Sequence, residues 1–191
     1  MMFLPLENKT FYIRHLLDSD SDVVDIQSFS INQPSAKGLE IYLKNEASKD
    51  EVMSLARTYL IKSKQTDEIA AYFTLRNGLF TLEIPESSFV TIPAIELSNF
   101  AVNSSFRSSH PEIEEIGSTV LADFVLPIAD FLRHFSGAKA LYIYSLPQEK
   151  LIKHYEKLGF MRLEKDEEKF VHQHVKPEYD TGCIFMYQIL A

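Results

Sequence analysis

A single cysteine, Cys183, stands in 191 residues, so no internal disulfide can form and the two- and four-cysteine zinc patterns are excluded. That scarcity fits a reducing compartment, and the expected location is cytoplasmic. Cations are also in short supply: 19 Lys and Arg face 27 Asp and Glu, for a net charge of −8 and a pI near 5.2. A surface that neutralises phosphates needs clustered Lys and Arg. Nucleic acid is therefore disfavoured as a partner and a cationic amine is favoured. No uncharged apolar run approaches the roughly 20 residues that cross a bilayer. The opening MMFLPLE reaches Glu7 without a basic segment, so it does not read as a signal peptide and no membrane partner is expected. Internal repeats and low-complexity tracts are absent too.

What is present is core material. With 46% hydrophobic residues, residues 1–191 suffice for one well-buried domain and are few for two. Thr10 to Leu17 reads as a first strand, stopped by Asp18-Ser19-Asp20-Ser21. Val23 to Phe29 and Gly38 to Ala47 read as short helices around Asn32-Gln33-Pro34. Met53 to Lys62 and Ile69 to Arg76 read as an antiparallel hairpin. Asn77-Gly78 is expected to punctuate before a further strand, Leu79 to Ile84, closed by Pro85 and Ser87-Ser88.

The chain is organised around Thr91 to Ala129. Ile95 and Leu97 keep one two-residue phase, and Phe100 and Val102 keep the other, so one extra residue is expected near Ser98 and Asn99. That pattern predicts a β-bulge, which leaves backbone groups unpaired for an extended ligand. Apolar residues at 116, 120, 121, 124, 125, 128, 131 and 132 predict a long helix, with a kink or break at Pro127. Lys139 to Ser145 reads as a buried strand. Gln148 to Leu158 reads as an amphipathic helix with Gly159 at its end. Phe160 to Leu163 and Cys183 to Leu190 read as closing strands, with Glu164 to Thr181 a charged connection. The predicted architecture is α/β, a mixed and mostly antiparallel central sheet with a bulged, splayed central strand and helices on both faces.

Two stretches carry a resemblance. LSNFAV (Leu97 to Val102) looks like the bulged strand of the GNAT superfamily of acyl-CoA-dependent N-acyltransferases, and His154-Tyr155-Glu156-Lys157-Leu158-Gly159-Phe160 is similar to that family's tyrosine-bearing helix and following strand. The family's Gly-rich pyrophosphate loop becomes Glu112-Ile113-Glu114-Glu115-Ile116-Gly117, in which only the last glycine survives. The resemblance implies acetyl-CoA as cosubstrate, no metal, and direct transfer of an acetyl group to a primary amine on a small molecule or peptide. It leaves room for a homodimer. It also implies site residues: Tyr155 as general acid to the departing thiolate, Glu96 as a base, the backbone of Phe100, Ala101, Val102 and Asn103 along the pantetheine arm, Gly117 and Ser118 at the pyrophosphate, and Gln148 where the family often has an asparagine.

Each residue also has a plainer reading. Tyr155 lies on the apolar stripe of its own helix and would serve as packing. Glu96 would pair with Arg57, Arg76 or Lys62. Ser109-His110-Pro111-Glu112 fits a capping box that starts the long helix early and fills the anion site with the protein's own glutamates. His172 and His174 would share one face of a strand, yet lack a third ligand and read as solvent-exposed loop. Cys183 reads as buried and inert, and His154 as surface. Two further functions stay open: a GNAT-like binding or regulatory module without CoA, and an enzyme like the toxins that acetylate aminoacyl-tRNA and carry a strand similar to Arg57-Thr58-Tyr59-Leu60.

Overall fold

The computed structural model describes residues 7–84, 88–174 and 182–190. Seven strands hydrogen-bond in the order β1-β2-β3-β4-β5-β7-β6. They are β1 (Phe11–His15), β2 (Arg57–Ser63), β3 (Ile69–Ile84), β4 (Ser88–Val102), β5 (Ala140–Ser145), β6 (Met161–Arg162) and β7 (Ile184–Ile189). Of the pairs with a described register, only β4 with β5 is parallel. The mixed, mostly antiparallel sheet is as expected. The chain divides into two compact units, one of residues 1–76 and 98–128, the other of 77–97 and 129–191.

The first unit holds α1 (Asp20–Asp25), α2 (Lys37–Asn45), α3 (Ala47–Val52), α4 (Ser104–Ser109) and the start of a helix at Ile116. Its core gathers Leu16, Ile26, Phe29, Leu43, Leu60, Tyr72 and Ala101. Apolar burial is the main stabilising contribution here, and the buried Tyr72 hydroxyl is satisfied by donating to Leu39 O at 2.6 Å. Polar groups are buried beside this core. Lys62 is fully buried, with Nζ 2.8 Å from Asp25, 3.1 Å from Asp67 and 3.8 Å from Asp22. Asp22 also meets Arg14 at 3.5 Å, and burial raises its carboxyl above the usual range. Buried Glu51 takes His15 at 3.0 Å, Arg57 at 3.1 Å and the Thr58 amide.

The register slips between Ile61 and Lys62, which pair with Ala71 and Ile69 and skip Ala70. That recorded irregularity lies between β2 and β3. It frees the Ala70 carbonyl to accept the Asn103 amide at 2.9 Å, while Asn103 Nδ2 donates to Ile69 O at 2.8 Å. At the place where the sequence predicts a bulge in β4, Ser98, Asn99 and Phe100 are three consecutive half-buried residues.

The second unit packs Phe80, Ala94, Ala140, Tyr142, Leu163, Val171 and Phe185. Ring contacts link Phe80 to Phe185 at 5.1 Å, Phe80 to Tyr142 at 5.8 Å and Tyr144 to Phe185 at 5.4 Å between centroids. α7 (Glu149–Lys157) and α8 (Lys165–Gln173) belong here.

Several expectations need correction. Asn77-Gly78 does not punctuate, because β3 runs through it to Ile84. Gly78 is needed for close approach instead: a Cβ there would sit 2.3 Å from the Tyr142 hydroxyl. The closing of that strand at Pro85 and Ser87 lies outside the described residues. β2 starts at Arg57, not Met53. Residues 47–52 form α3, which ends through Ser54 in the left-handed region, φ 57°. Glu164 and Glu167 form a capping box that starts α8, so the expected charged connection contains a helix. His172 lies in α8 and His174 caps it, stacked on Phe170 at 4.1 Å. They do not share a strand face. At Pro127 the helix widens rather than breaks. Residues Leu121–Val125 form a π turn, with the Leu126 amide bonded five residues back to Leu121 O, before α6 (Leu126–Ser136) resumes. An extra residue in the turn before a proline relieves the clash of its ring with the preceding carbonyl.

No helix among the described residues is long and apolar enough to cross a membrane.

Candidate active site

The predicted site residues fall into two groups. Phe100 to Asn103 with Gly117 and Ser118 belong to the first unit, and Glu96, Gln148 and Tyr155 to the second.

In the first unit, Asn103 ends β4 and caps α4: its side chain accepts from the Ser105 amide at 3.1 Å and from the Ser30 amide at 3.2 Å. At 4% exposed, and with its own N–H on Ala70, Asn103 is committed to holding the strand end. Phe100, Ala101 and Val102 precede it on β4.

The capping box expected at Ser109 does not form. Ser109 is the last residue of α4, and the long helix begins at Ile116 as α5 (Ile116–Val120). Its cap, Glu115, is in the left-handed region at φ 51°, and its side chain makes no capping bond. The first amides of a helix have no intrahelical acceptor and carry the positive end of its dipole. Among the described residues, the Ile116, Gly117 and Ser118 amides have no hydrogen-bond acceptor, while Thr119 is the first to bond back, to Glu115 O. Such a terminus can receive an anion. Glu112, Glu114 and Glu115 are exposed, and Glu112 is held by the His110 Nδ1 at 3.3 Å.

In the second unit, β4 and β5 pair in parallel over three positions only, Ala94 to Glu96 with Ala140 to Tyr142. Glu96, 5% exposed, accepts from the Tyr142 hydroxyl at 3.3 Å. Of the cations weighed as its partners, Arg57 is bound to Glu51, and Lys62 to Asp25 and Asp67. The negative charge of Glu96 and, above all, burial push the Tyr144 hydroxyl well above the usual tyrosine range.

Gln148 caps α7 through its backbone carbonyl, which accepts from the Leu151 and Ile152 amides, both at 2.9 Å. Its side chain makes no capping bond to the helix. Tyr155 is 2% exposed, edge-on to Phe160 at 5.5 Å. Burial alone raises its hydroxyl well above the usual value, so it keeps its proton at neutral pH. Among the described residues no hydrogen bond is made by that hydroxyl. Gly159, φ 92°, turns the chain after α7 and brings Phe160 back onto Tyr155, with the Phe160 amide on Tyr155 O at 3.0 Å. Sequence reasoning missed His110 and Tyr142. His110 was readable only as part of a cap, and Tyr142 only as an aromatic in an apolar strand.

Among the described residues no group of three or more His, Cys, Asp or Glu is placed to hold a metal ion.

No protein-family model matches the chain. Protein IQ-DOMAIN 33 of Arabidopsis thaliana is 30% identical over 106 residues, 52% of this chain and 24% of that protein. The chain thus spans about a quarter of the length of this curated relative. Solved structures match over nearly all of it. A tyrosine-to-phenylalanine mutant of KacT superposes with a TM-score of 0.67 at 17% identity, covering 95% of this chain and 96% of that one. The corresponding figures for a mutant AtaT toxin bound to acetyl-CoA and the C-terminus of the antitoxin AtaR are 0.65, 18%, 94% and 93%. For AtaT complexed with acetyl-methionyl-tRNAfMet they are 0.63, 18%, 92% and 93%. The fold is the GNAT fold.

These neighbours overturn one expectation from composition. A small-molecule or peptide amine as partner, with nucleic acid disfavoured, does not describe these GNAT-fold neighbours. KacTA and AtaT–AtaR are each solved with DNA, and AtaT with a tRNA. Net charge is a whole-chain sum, whereas a phosphate-binding face is local, so a charge of −8 could not decide the question.

Proposed function

We propose that this GNAT-fold chain transfers an acetyl group from acetyl-CoA to a primary amine. The observation that carries the reading is the helix start at Ile116, which leaves the Gly117 and Ser118 amides without acceptors while the neighbouring glutamates stand exposed. These amides would take the pyrophosphate. The backbone of Phe100, Ala101 and Val102 would run along the pantetheine arm, with Asn103 fixing the strand end.

In the reaction the amine nitrogen attacks the thioester carbon. The C–N bond forms, the C–S bond breaks, and the sulfur leaves with its electron pair. Tyr155 would give its phenolic proton to that sulfur. Burial keeps Tyr155 protonated at neutral pH, so it has a proton to give. Glu96, its carboxylate oriented by Tyr142, would take the proton that the amine loses. The acceptor to test first is the α-amine of an aminoacyl-tRNA, because AtaT is captured with acetyl-methionyl-tRNAfMet.

The test has three parts. Acetyl-CoA at 100 times its Kd should stabilise the protein by about 2.7 kcal/mol. Tyr155→Phe should lower kcat by roughly 100-fold or more and leave acetyl-CoA affinity nearly unchanged. Methionyl-tRNA should be retarded in a low-salt gel shift and acetylated. No thermal shift at millimolar acetyl-CoA would make the chain a GNAT-fold binding module instead, and full turnover by Tyr155→Phe would return that residue to packing.

A further inference from the structure

Most cations of this acidic chain are answered by its own carboxylates. In the first unit Arg14, Lys37, Lys44, Lys49, Arg57 and Lys62 each meet an Asp or Glu, at 2.5 to 3.5 Å. In the second unit, the lysines of α8, Lys165 and Lys169, stand among Glu164, Asp166, Glu167 and Glu168. Arg162 meets Glu168 at 3.8 Å.

α7 is different. Lys150, Lys153 and Lys157 are all exposed, and their spacing of three and four residues sets them on one face of the helix. Among the described residues, Lys150 and Lys157 pair with no carboxylate. Lys153 meets Glu149 at 2.5 Å, but the two side chains are 64% and 81% exposed, and an ion pair so open to water is weak enough to exchange for another anion. The acids of α7, Glu149 and Glu156, are seven residues apart and share a line beside the lysines rather than among them. The result is a local basic stripe on a chain of net charge −8.

The dimensions of the stripe suit a phosphodiester strand. Lys150 to Lys157 covers seven residues, about 10 Å of helix. One strand of a nucleic-acid duplex advances about 3.4 Å per phosphate along its axis, so a strand lying along α7 offers about three phosphates to three ammonium groups. Tyr155 faces the other way, 2% exposed, with the lysines in solvent on the far side. The stripe therefore stands roughly 10 Å, one helix diameter, from the candidate acid.

We propose that the Lys150, Lys153 and Lys157 face of α7 docks the phosphodiester backbone of the aminoacyl-tRNA acceptor. This rests on the acceptor reading above and adds the surface that holds that acceptor. Because the lysines stand away from the reacting amine, they set affinity for the tRNA and leave the chemical step alone.

The test uses the full chain and deacylated methionine tRNA, with affinity measured by fluorescence anisotropy across a salt series. Lys150→Gln, Lys153→Gln and Lys157→Gln combined should weaken binding tenfold or more at about 100 mM salt, and should flatten the plot of log K against log salt by roughly 2 to 3 units, the loss of three phosphate contacts. The three corresponding Lys→Arg changes keep the charge and should bind like the wild type. Lys139→Gln, Lys165→Gln and Lys169→Gln combined remove the same charge from elsewhere in the second unit and should change the slope by less than about one unit. A control as weak as the α7 variant overturns the proposal, since binding would then follow net charge alone. Binding of a DNA duplex or of polyglutamate as tightly as tRNA, through the same lysines, also overturns it. Turnover separates this proposal from the reading it rests on. With methionyl-tRNA as acceptor, the Gln variant should raise the acceptor KM about tenfold and leave kcat and acetyl-CoA affinity within about twofold. If methionyl-tRNA is acetylated with the same KM by the Gln variant, the acceptor reading stands and the docking face falls. If tRNA is bound through α7 but methionyl-tRNA is not acetylated, the acceptor reading falls and the docking face stands.

Discussion

The two units stabilise themselves by different means. Beside its apolar core the first buries Lys62, Asp22, Glu51 and Glu40, each answered by specific partners, and a Thr58–Thr74 hydroxyl pair at 3.0 Å. The second buries a cluster of rings around Phe80, Tyr142 and Phe185 with, among its described residues, one buried carboxylate, Glu96. Ring packing is tolerant of pH but intolerant of added volume. Buried ion pairs behave the other way: they add little net stability over an apolar core, yet removing one partner is expensive and the cost depends on protonation. The same sheet therefore carries two kinds of fragility.

The largest effect expected from this contrast is at Lys62. Lys62→Met leaves Asp22, Asp25 and Asp67 without their shared cation and should cost about 3–5 kcal/mol at pH 7 by urea unfolding. Burial already raises the Asp22 carboxyl against the pull of Arg14 and Lys62; without Lys62 it is raised further, so the loss should shrink as pH falls toward about 4. An equal loss at both pH values would mean that the lysine matters for its methylenes rather than its charge. The second unit should answer to size instead. Gly78→Ala puts a methyl 2.3 Å from the Tyr142 hydroxyl, and strain of this kind costs roughly 1–3 kcal/mol. Thermal unfolding at pH 5 and pH 8 should show the same loss, and a pH-dependent one would blur the distinction between the units.

The smallest effect is at Glu40. Lys37, Lys44 and the Ile31 amide hold its carboxyl down to about 2. A depressed folded-state value gives stability that is present above the unfolded value near 4.5 and lost as pH falls toward 2. Glu40→Gln should flatten that acid limb by on the order of 1 kcal/mol once solvent screening is counted. An unchanged acid limb would show that these lysines are screened by solvent.

What could be read from the sequence followed local rules. β1, α7 with Gly159 and β7 each announce themselves through apolar period and a stop signal, and Tyr155 could be placed on a buried stripe before any coordinates. What could not be read depended on partners distant in the chain or on backbone states with no residue signature. Gly78 looks like a turn glycine unless one knows that Tyr142 packs onto it. α8 has little apolar period, and it starts on two glutamates that bond each other's backbone. The helix start at Ile116 rests on Glu115 adopting a left-handed conformation that favours glycine or asparagine, at a cost of about 1–2 kcal/mol. Nothing in the local pattern of the candidate anion site reveals that choice, nor that Glu112 would be drawn to a histidine. Composition misled most about partners, since it carries no map of where the charges lie.

The widened turn at Leu121–Val125 has a geometric meaning of its own. One residue more than an α turn requires sets everything before it about 100° further round the axis than a regular helix would. The direction in which Gly117 and Ser118 face relative to Leu126 is thus fixed by a single inserted position. Deleting one residue between 121 and 125 would leave helix content almost untouched, yet it would swing the N-terminal turn roughly a quarter of a revolution around the axis.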